Sequence, residues 1–116
     1  MRVLVCGGRN FCDPFGTFEV SLERFKDQYG FDLLIEGGAP GTDRLARLWA
    51  KKRGIPIQTY RPNWKTHGRA AGPIRNKQML VEGKPDVVIA FPGGRGTADM
   101  VHQAQAAGVP VIVEMK

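Results

Sequence analysis

The chain has 116 residues and a net charge of +6 at neutral pH, with a pI near 9.8. This is the size of one ordinary domain, and we expect a single domain over residues 1–116. There is no apolar run long enough to span a membrane, no signal-peptide pattern and no metal-type spacing of the two cysteines, Cys6 and Cys12. These features favour a cytoplasmic protein, and the basic charge suits a nucleotide, nucleic acid or other acidic partner as well as a plain solvated surface.

The first predicted strand covers residues 2–6 and leads into the turn Gly7-Gly8-Arg9-Asn10. Asp13 then fits the N-cap of a helix whose first residue is Pro14. Apolar side chains follow at three- and four-residue spacings and predict a buried stripe on this helix, made of Phe15, Phe18, Leu22, Phe25 and Tyr29. Gly30 is expected to end the helix in a left-handed conformation.

A second strand is predicted at residues 32–36, and a turn that contains Gly37, Gly38 and Gly41 follows it. The second helix begins at Thr42 or Asp43 and ends before residue 54. Asp43 is placed to accept the hydroxyl groups of a ribose, as acidic residues near nucleotide sites do. A helix cap is the alternative role for this carboxylate.

Residues 56–60 predict a third strand, whose alternating polar and apolar residues are typical of a sheet edge. The loop after it carries Trp64, which can stack on a base through its aromatic face or fill a gap over the next helix. Pro73 marks the start of that third helix. Arg75 and Asn76 lie close to this helix start, which should face the same rim as the glycine turns.

The fourth strand, at residues 87–91, leads into the sequence Pro-Gly-Gly-Arg-Gly-Thr. Glycines let a backbone approach a ligand closely, and a helix start presents unpaired N–H groups and partial positive charge. Together these features favour a phosphate, although packing alone also produces such turns. We expect Thr97 as the N-cap of a helix over residues 98–107, and a fifth strand at residues 109–114.

Strands that alternate with helices predict a parallel sheet with right-handed crossovers. Five strands and four helices favour a Rossmann-like, three-layer α/β fold with strand order 3-2-1-4-5, with two helices on each face. Apolar runs in strands one, four and five are typical of strands covered on both faces. This order places a switch point between strands one and four, where ligands of open α/β sheets bind. The three glycine-rich turns are therefore predicted to meet at one rim.

Arg9 and Arg95 lie inside two of these turns and can hold phosphate through forked hydrogen bonds; a solvated loop arginine is the alternative for each. His67 and His102 have no further ligand at metal spacing, so we expect no metal ion and no cofactor. The chain carries neither the Lys-Ser/Thr ending of a P-loop nor the dinucleotide pattern Gly-x-Gly-x-x-Gly.

The motifs resemble, in their order along nearly the whole chain, the YspA-type, cpYpsA-related family of the SLOG superfamily. The segments that carry the resemblance are Gly7-Gly8-Arg9, residues 37–43, Trp64, residues 71–79 and residues 91–100. Pro40 departs from the pattern, which has arginine there. The resemblance implies a domain that binds a nucleotide-derived ligand, such as a nucleoside phosphate or an NAD- or ADP-ribose-like molecule. The expected ligand-binding residues are Gly7, Gly8, Arg9, Gly37, Gly38, Gly41, Asp43, Trp64, Arg75, Asn76, Pro92, Gly93, Gly94, Gly96 and Thr97.

More distantly, the chain resembles the LONELY GUY phosphoribohydrolases, which cut the base–ribose bond of cytokinin monophosphates. Arg75 resembles the arginine of their helix, but Met100 stands where they carry a glutamate. Methionine cannot stabilise an oxocarbenium charge or move a proton. Hydrolysis of the N-glycosidic bond of a nucleotide is thus the alternative function, with Arg75, Asp43 and Asp99 as candidate catalytic residues.

A third possible function is DNA binding, because the superfamily includes a DNA-processing recombination protein and the chain is basic; it predicts a steep salt dependence. The apolar run Val111-Ile112-Val113 at the sheet edge favours cover by a second subunit, and members of the superfamily are often dimers. We therefore expect a nucleotide-type small molecule and a second copy of the chain as partners, and no membrane.

Overall fold

Five parallel strands form one sheet in the computed structural model, which describes residues 1–13 and 16–114. The strands are β1 (Arg2–Cys6), β2 (Leu33–Glu36), β3 (Ile57–Thr59), β4 (Val87–Ala90) and β5 (Val111–Val113). Their order is β3-β2-β1-β4-β5, which confirms the predicted order. In the register of the sheet, Leu4 pairs with Ile35 on one side and with Val88 on the other, so β1 lies at the centre.

The helices of the described residues follow the strands in alternation. They are α1 (Thr17–Tyr29), α2 (Thr42–Lys52), the single-turn α3 (Trp64–His67), α4 (Ala71–Gly83) and α5 (Arg95–Ala106). A 3-10 turn, Gly68–Ala70, joins α3 to α4. The four longer helices are the ones that the sequence predicts. Within the described residues, none of the helices has the length and apolar character that a membrane span needs.

Each face of the sheet is covered by two of the longer helices, which confirms the predicted three layers. On one face, Val3 packs in a core with Phe18 of α1 and Trp49 of α2. On the other face, Leu4 packs in a core with Met100 of α5. Successive strand residues point to opposite faces, so both faces of β1 are buried, and each such large side chain contributes about 1.5–3 kcal/mol.

The first helix begins later than the sequence predicts. α1 starts at Thr17, with Gly16 at its N-cap in a left-handed conformation, whereas Pro14 was expected as its first residue and lies outside the described residues. Asp13 is not the N-cap residue, yet its carboxylate accepts the backbone N–H of Phe18 at 3.1 Å. A carboxylate a few residues upstream therefore supplies the acceptor that the glycine N-cap lacks.

The predicted burial of the apolar stripe on α1 is confirmed for its three central residues. Phe18, Leu22 and Phe25 are buried, while Tyr29 is 52% exposed and Phe15 lies outside the described residues. The buried part of this stripe therefore ends at Phe25 within the described residues.

The starts of α4 and α5 also differ from the prediction. α5 begins at Arg95, so Thr97 lies inside its first turn and is not the N-cap; that position belongs to Gly94, without a side-chain hydrogen bond. A glycine-rich start is compatible with a helix here because first-turn N–H groups need no acceptor within the helix. α4 begins at Ala71, two residues before Pro73, because the 3-10 turn leads directly into it.

β5 is not covered on both faces, contrary to the expectation from its apolar run. It lies at the edge of the sheet, and Ile112 and Val113 are 36% and 55% exposed. β3 lies at the opposite edge, as predicted. The strand order reverses at β1, so the segments that follow β1 and β4 flank a crevice at the carboxyl ends of the strands.

Candidate functional site

A cavity of ≈ 670 Å3 occupies the predicted crevice at the carboxyl ends of β1 and β4. A volume of several hundred Å3 suits a ligand of nucleotide size. Most of the predicted binding residues line it, namely Gly7, Gly8, Arg9, Asp43, Trp64, Arg75, Asn76, Pro92, Gly93, Gly94, Gly96 and Thr97. The structure thus brings together segments that are far apart in the sequence.

Three predicted binding residues, Gly37, Gly38 and Gly41, do not line this cavity. Gly41 has φ +76, and a Cβ built there would lie 2.7 Å from the backbone carbonyl carbon of Arg9. The second glycine turn is therefore pressed against the first one and supports it from behind. Backbone packing therefore requires glycine at position 41, whereas a Cβ on Gly37 would meet the guanidinium of Arg75, and Gly38 has a φ of +73.

Gly8 links the three turns to one another. Its N–H donates to the carbonyl of Pro92 at 2.8 Å, and its carbonyl accepts the N–H of Thr42 at 3.1 Å and the hydroxyl of Thr42 at 3.2 Å. The backbone N–H of Gly8 is consequently already used by the protein. This turn fixes the geometry of the rim and does not offer that N–H to an anion.

At the start of α5, unlike at Gly8, the backbone N–H groups are available to a ligand. Within the described chain, the N–H groups of Arg95, Gly96 and Thr97 have no protein acceptor; the first paired N–H is that of Ala98, which donates to the carbonyl of Gly94 at 3.0 Å. At α1 and α2, by contrast, the corresponding first N–H groups reach Asp13 and Gly8. Unpaired N–H groups at a helix start and the partial positive charge of the helix dipole together favour an anion.

The three glycines of the turn before and at the start of α5 differ in why glycine is present. A Cβ on Gly93 would lie 2.7 Å from the backbone nitrogen of Gly8, so this residue is needed for packing of the two turns. Cβ atoms on Gly94 and Gly96 would meet nothing within 4 Å, and neither residue has a positive φ. The described part of the chain therefore gives no steric reason for glycine at these two positions, which border the cavity.

Arg75 is held against the neighbouring turn by its own hydrogen bonds. Its Nη1 donates to the carbonyl of Gly37 at 2.6 Å and its Nε to Oδ1 of Asn76 at 3.0 Å, whereas its Nη2 has no acceptor among the described residues. Burial lowers the pKa of Arg75, and the nearby Asp43 and Glu36 oppose this shift. The guanidinium remains charged, and it joins Arg9 and Arg95 as a third cation around the cavity.

Asn76 connects Arg75 to the start of α5. The buried Asn76 accepts from Arg75, and its Nδ2 donates to the carbonyl of Gly96 at 3.2 Å and to Oδ2 of Asp99 at 2.9 Å. Asp99 also accepts from Gln103 at 2.8 Å and does not line the cavity. Asp99 is thus a brace between α4 and α5 and does not reach the cavity, unlike the other two candidate catalytic residues, Asp43 and Arg75.

Asp43 is a buried carboxylate on the cavity wall. It accepts the N–H of Ala39 at 3.1 Å, so it also stabilises the turn in front of α2. Burial raises the pKa of Asp43 to about 6; Glu36 adds to this shift, while the N–H bonds and Arg75 oppose it. Such a carboxyl group can exist in both protonation states near neutral pH.

Cys6, at the end of β1, lies on the cavity wall next to Asp43. Burial, reinforced by Asp43, raises the pKa of its thiol to about 12. The thiol is therefore protonated and acts as an apolar surface rather than as a nucleophile. No group of three potential ligands among the described positions is arranged to hold a metal ion.

Trp64 lies in α3, and not in a loop as predicted, with half of its surface exposed at the cavity. A Cβ on Gly72 would lie 3.8 Å from its ring, so the indole rests beside the start of α4. The side chain of Asn63 caps α3 by accepting the N–H of Thr66 at 3.1 Å. A partly exposed aromatic face at a cavity mouth can stack on a base.

Sequence reasoning missed the role of Glu36. This residue is fully buried at the end of β2, and its carboxylate accepts from Gly38 N at 2.6 Å and Arg47 Nη1 at 2.9 Å, and also from the hydroxyl of Thr59. A buried charge needs such partners. The one sequence signal was an acidic residue at the end of an apolar strand. Further lining residues that were not named as binding residues are Val5, Cys6, Asn10, Phe11, Ala39, Gly72 and Met79. Arg95, which the sequence suggested as a phosphate ligand, also lines the cavity.

Met100, at the position of the LONELY GUY glutamate, is fully buried in the core between the sheet and the α4–α5 layer. The side chain at this position therefore contributes to packing here.

Two comparisons with known proteins give matches to this chain. The model of the YspA, cpYpsA-related SLOG family matches residues 1–67. The gene 61 protein of Mycobacterium phage D29 is 37% identical over 119 residues, which span 96% of this chain and 94% of that protein. The family match includes the first two glycine turns and Trp64, and the similarity to the phage protein extends over the remaining segments of the site. The chain belongs to the YspA, cpYpsA-related SLOG family.

Proposed function

We propose that this protein binds a nucleotide or a nucleotide-derived molecule, of the nucleoside phosphate, NAD or ADP-ribose type, at the carboxyl edge of its sheet. Membership of the SLOG family suggests a nucleotide-related role. The observation that carries the proposal is the start of α5. Three N–H groups there have no acceptor among the described residues, and with two sterically unconstrained glycines they border a ≈ 670 Å3 cavity.

A phosphate group at the start of α5 would accept from the N–H groups of Arg95, Gly96 and Thr97. Arg9 and Arg75 add positive charge at the same cavity, and charge-assisted hydrogen bonds are about twice as strong as neutral ones. The base would stack on Trp64, and the ribose hydroxyls would meet Asp43. The three cations favour a ligand with at least one phosphate over a neutral nucleoside.

The test is calorimetric titration and thermal unfolding with AMP, ADP, ADP-ribose, NAD, ribose 5-phosphate and adenosine. A ligand at one hundred times its Kd stabilises the folded state by about 2.7 kcal/mol, so binding raises the Tm by several degrees. The phosphorylated ligands should stabilise the protein and adenosine should not. Absence of any shift with all of the phosphorylated ligands would contradict the proposal.

Thr97→Arg provides the variant for this test, because a long side chain in the first turn of α5 would occupy the phosphate position. Gln105→Arg is the matched control, since it adds the same charge to an exposed position of the same helix. The first variant should lose the ligand-induced shift and the second should keep it.

Hydrolysis of the N-glycosidic bond of the bound nucleotide is the second candidate function, and the raised pKa of Asp43 favours it. In this reaction the C1′–N bond breaks as water adds to the anomeric carbon, and the proton that the water loses through Asp43 balances the one that the departing base takes up. Ionised Asp43 would accept a proton from the water and stabilise the positive charge that develops on the sugar, and Arg75 would hold the phosphate.

Free base released from AMP is the readout for this second function. The rate should rise as the pH passes through about 6, the pKa of Asp43, and should be lost in Asp43→Asn and in Arg75→Ala. Tight binding of AMP without any release of adenine would remove the hydrolase and leave the binding function intact. DNA binding would be supported instead by affinity for a DNA duplex that falls steeply as the salt concentration rises.

A further inference from the structure

We propose that two copies of this chain associate through β5, in antiparallel register about a two-fold axis at Ile112. β5 is the apolar edge of the sheet, and no helix covers its outer side in the described residues. The proposal is independent of the ligand, because the edge lies beside α1 and apart from the cavity lining.

The hydrogen bonds of β5 show which of its backbone groups point outward. Val88 N–H donates to the carbonyl of Pro110 at 2.9 Å, and Glu114 N–H donates to the carbonyl of Ala90 at 2.8 Å. Since backbone groups alternate in direction along a strand, the even-numbered residues face β4, and the N–H and carbonyl groups of Val111 and Val113 point away from the sheet.

An antiparallel pair centred on Ile112 satisfies all of these outward groups. Val111 of one copy then lies opposite Val113 of the other, and each of the two symmetric residue pairs exchanges two hydrogen bonds. The arrangement is isologous, so it closes after two copies instead of growing into a fibre. The two sheets would join into one continuous sheet of ten strands.

The side chains at this edge are suited to the same arrangement. A groove of ≈ 210 Å3 lies between α1 and β5, with Phe25, Tyr29 and Ile112 among its lining residues. Ile112 points to the same face of the sheet as Ile89, and about the proposed axis it would meet Ile112 of the second copy directly. The opposite edge of the sheet is more polar: β3 carries Gln58 and Thr59, and the Thr59 hydroxyl is bonded to Glu36. Exposed apolar strand residues therefore distinguish β5 as the associating edge.

Charge complementarity identifies a second copy as the occupant. Ser21 of α1 donates to Glu114 at 2.8 Å at the carboxyl end of β5. Arg24 lies one turn further along α1, towards the amino end of β5, on the wall of the same groove, and it has no ion-pair partner among the described residues. Antiparallel pairing brings Glu114 of the second copy to that end, where it would face Arg24, and the axis generates this ion pair twice.

Sedimentation and light scattering at about 100 μM protein test the association by mass action. The wild-type chain should be a dimer. Val113→Lys should be a monomer, because a charged side chain opposite Val111 of the other copy opposes pairing of the two edge strands. Val81→Lys, which alters a valine of α4 that is 60% exposed, should remain a dimer. A monomeric wild-type protein, or a Val113→Lys variant that is still a folded dimer, would overturn the proposal.

The register has its own test. Residues that face each other in a non-hydrogen-bonded antiparallel pair have Cα atoms about 4.5 Å apart, which is within the range of a disulfide. Ile112→Cys in a Cys12→Ser background should therefore form an intermolecular disulfide in high yield under mild oxidation, and Val81→Cys in the same background should not. Equal yields at both positions would refute the axis.

A charge exchange separates the ion pair from general loss of folding. Arg24→Glu and Glu114→Arg should each weaken the dimer at least tenfold at low salt, and the double variant should restore it. Far-ultraviolet circular dichroism follows the fold of each variant. Folded single variants with unchanged dimer affinity would show that these two residues do not meet across the interface.

Discussion

Gly96→Ala is expected to change stability and ligand affinity in opposite directions. Gly96 lies in the first turn of α5, and a Cβ built on it meets no atom within 4 Å. Alanine is favoured over glycine in a helix by up to about 1 kcal/mol, so the variant without ligand should be equally or more stable. The new methyl group would nevertheless stand where the proposed phosphate approaches the backbone.

The expected loss of affinity follows from the hydrogen bonds that the methyl group would obstruct. A hydrogen bond to a charged group contributes about 1.5–3 kcal/mol, and each 1.4 kcal/mol is about tenfold in Kd. Displacing one such bond should weaken nucleotide binding by roughly 10- to 150-fold. Calorimetric titration with ADP and AMP measures this change, and urea unfolding without ligand measures the stability.

Two neighbouring glycines serve as matched controls for this experiment. Gly94→Ala should weaken nucleotide binding in the same way, because its Cβ also meets open space, but as the N-cap residue it should not gain stability. Gly93→Ala should instead destabilise the fold, since its Cβ would lie 2.7 Å from the nitrogen of Gly8. Unchanged nucleotide affinity in both Gly94→Ala and Gly96→Ala would refute the placement of a phosphate at this helix start.

The remaining predictions concern the polar groups around the cavity. The pKa of Asp43 rises from 3.8 to about 6 on folding, so its ionisation opposes folding and the stability falls as the pH rises between these values. Asp43→Asn should remove up to about 3 kcal/mol of this pH dependence. If urea unfolding gave the same stability difference between variant and wild type at about pH 4 and about pH 8, the prediction would be contradicted. Glu36→Gln breaks the buried pair with Arg47 and should lower the free energy of unfolding by about 1–3 kcal/mol. The pKa of Asp43, measured by NMR, should fall in the same variant, and an unchanged pKa would show that Glu36 does not act on Asp43. Asn76→Ala should lower the free energy of unfolding by about 1–3 kcal/mol and weaken nucleotide binding. The control is Gln78→Ala at an exposed position of the same helix. Wild-type nucleotide affinity in Asn76→Ala would show that the start of α5 does not need this brace.

The fold could be predicted from the sequence because its main signals are local and periodic. Apolar runs as short as Val87–Ala90 identify buried parallel strands, and the alternation of strands and helices leaves few topologies. The errors in the prediction lie at the helix ends, because tertiary contacts determine where each helix begins. Asp13 caps α1 across an intervening segment, and Thr97 enters the helix because its N–H needs no acceptor within α5.

The cavity could be predicted less completely, because the same residue type serves different purposes in neighbouring turns. Gly8, Gly93 and Gly96 are all part of glycine-rich turns, but the N–H of Gly8 is bonded to Pro92 and Gly93 is required by backbone packing. Gly96 alone of these three combines an N–H without a protein acceptor in the described chain with open space at its Cα. A sequence shows the conformational freedom of a glycine, whereas the availability of its N–H depends on partners far away in the chain.

The same reasoning explains why the acidic residues were harder to assign than the glycines. Glu36, Asp43 and Asp99 each follow or border a glycine-rich turn in the sequence, and a candidate catalytic role attaches to any of them on chemistry alone. Their surroundings separate them: Glu36 is paired with Arg47, Asp99 is held by Asn76 and Gln103, and Asp43 lies at the cavity without a charged hydrogen-bond partner among the described residues. Burial without such a partner raises the pKa of a carboxyl group, so Asp43 is the acidic residue whose protonation state can respond to a ligand. A phosphate brought near it would raise this pKa further, and nucleotide binding should therefore be accompanied by proton uptake near pH 6. Calorimetric titration in two buffers of different ionisation enthalpy measures that uptake, and binding without it in the wild-type chain would show that the charge of the ligand does not act on Asp43.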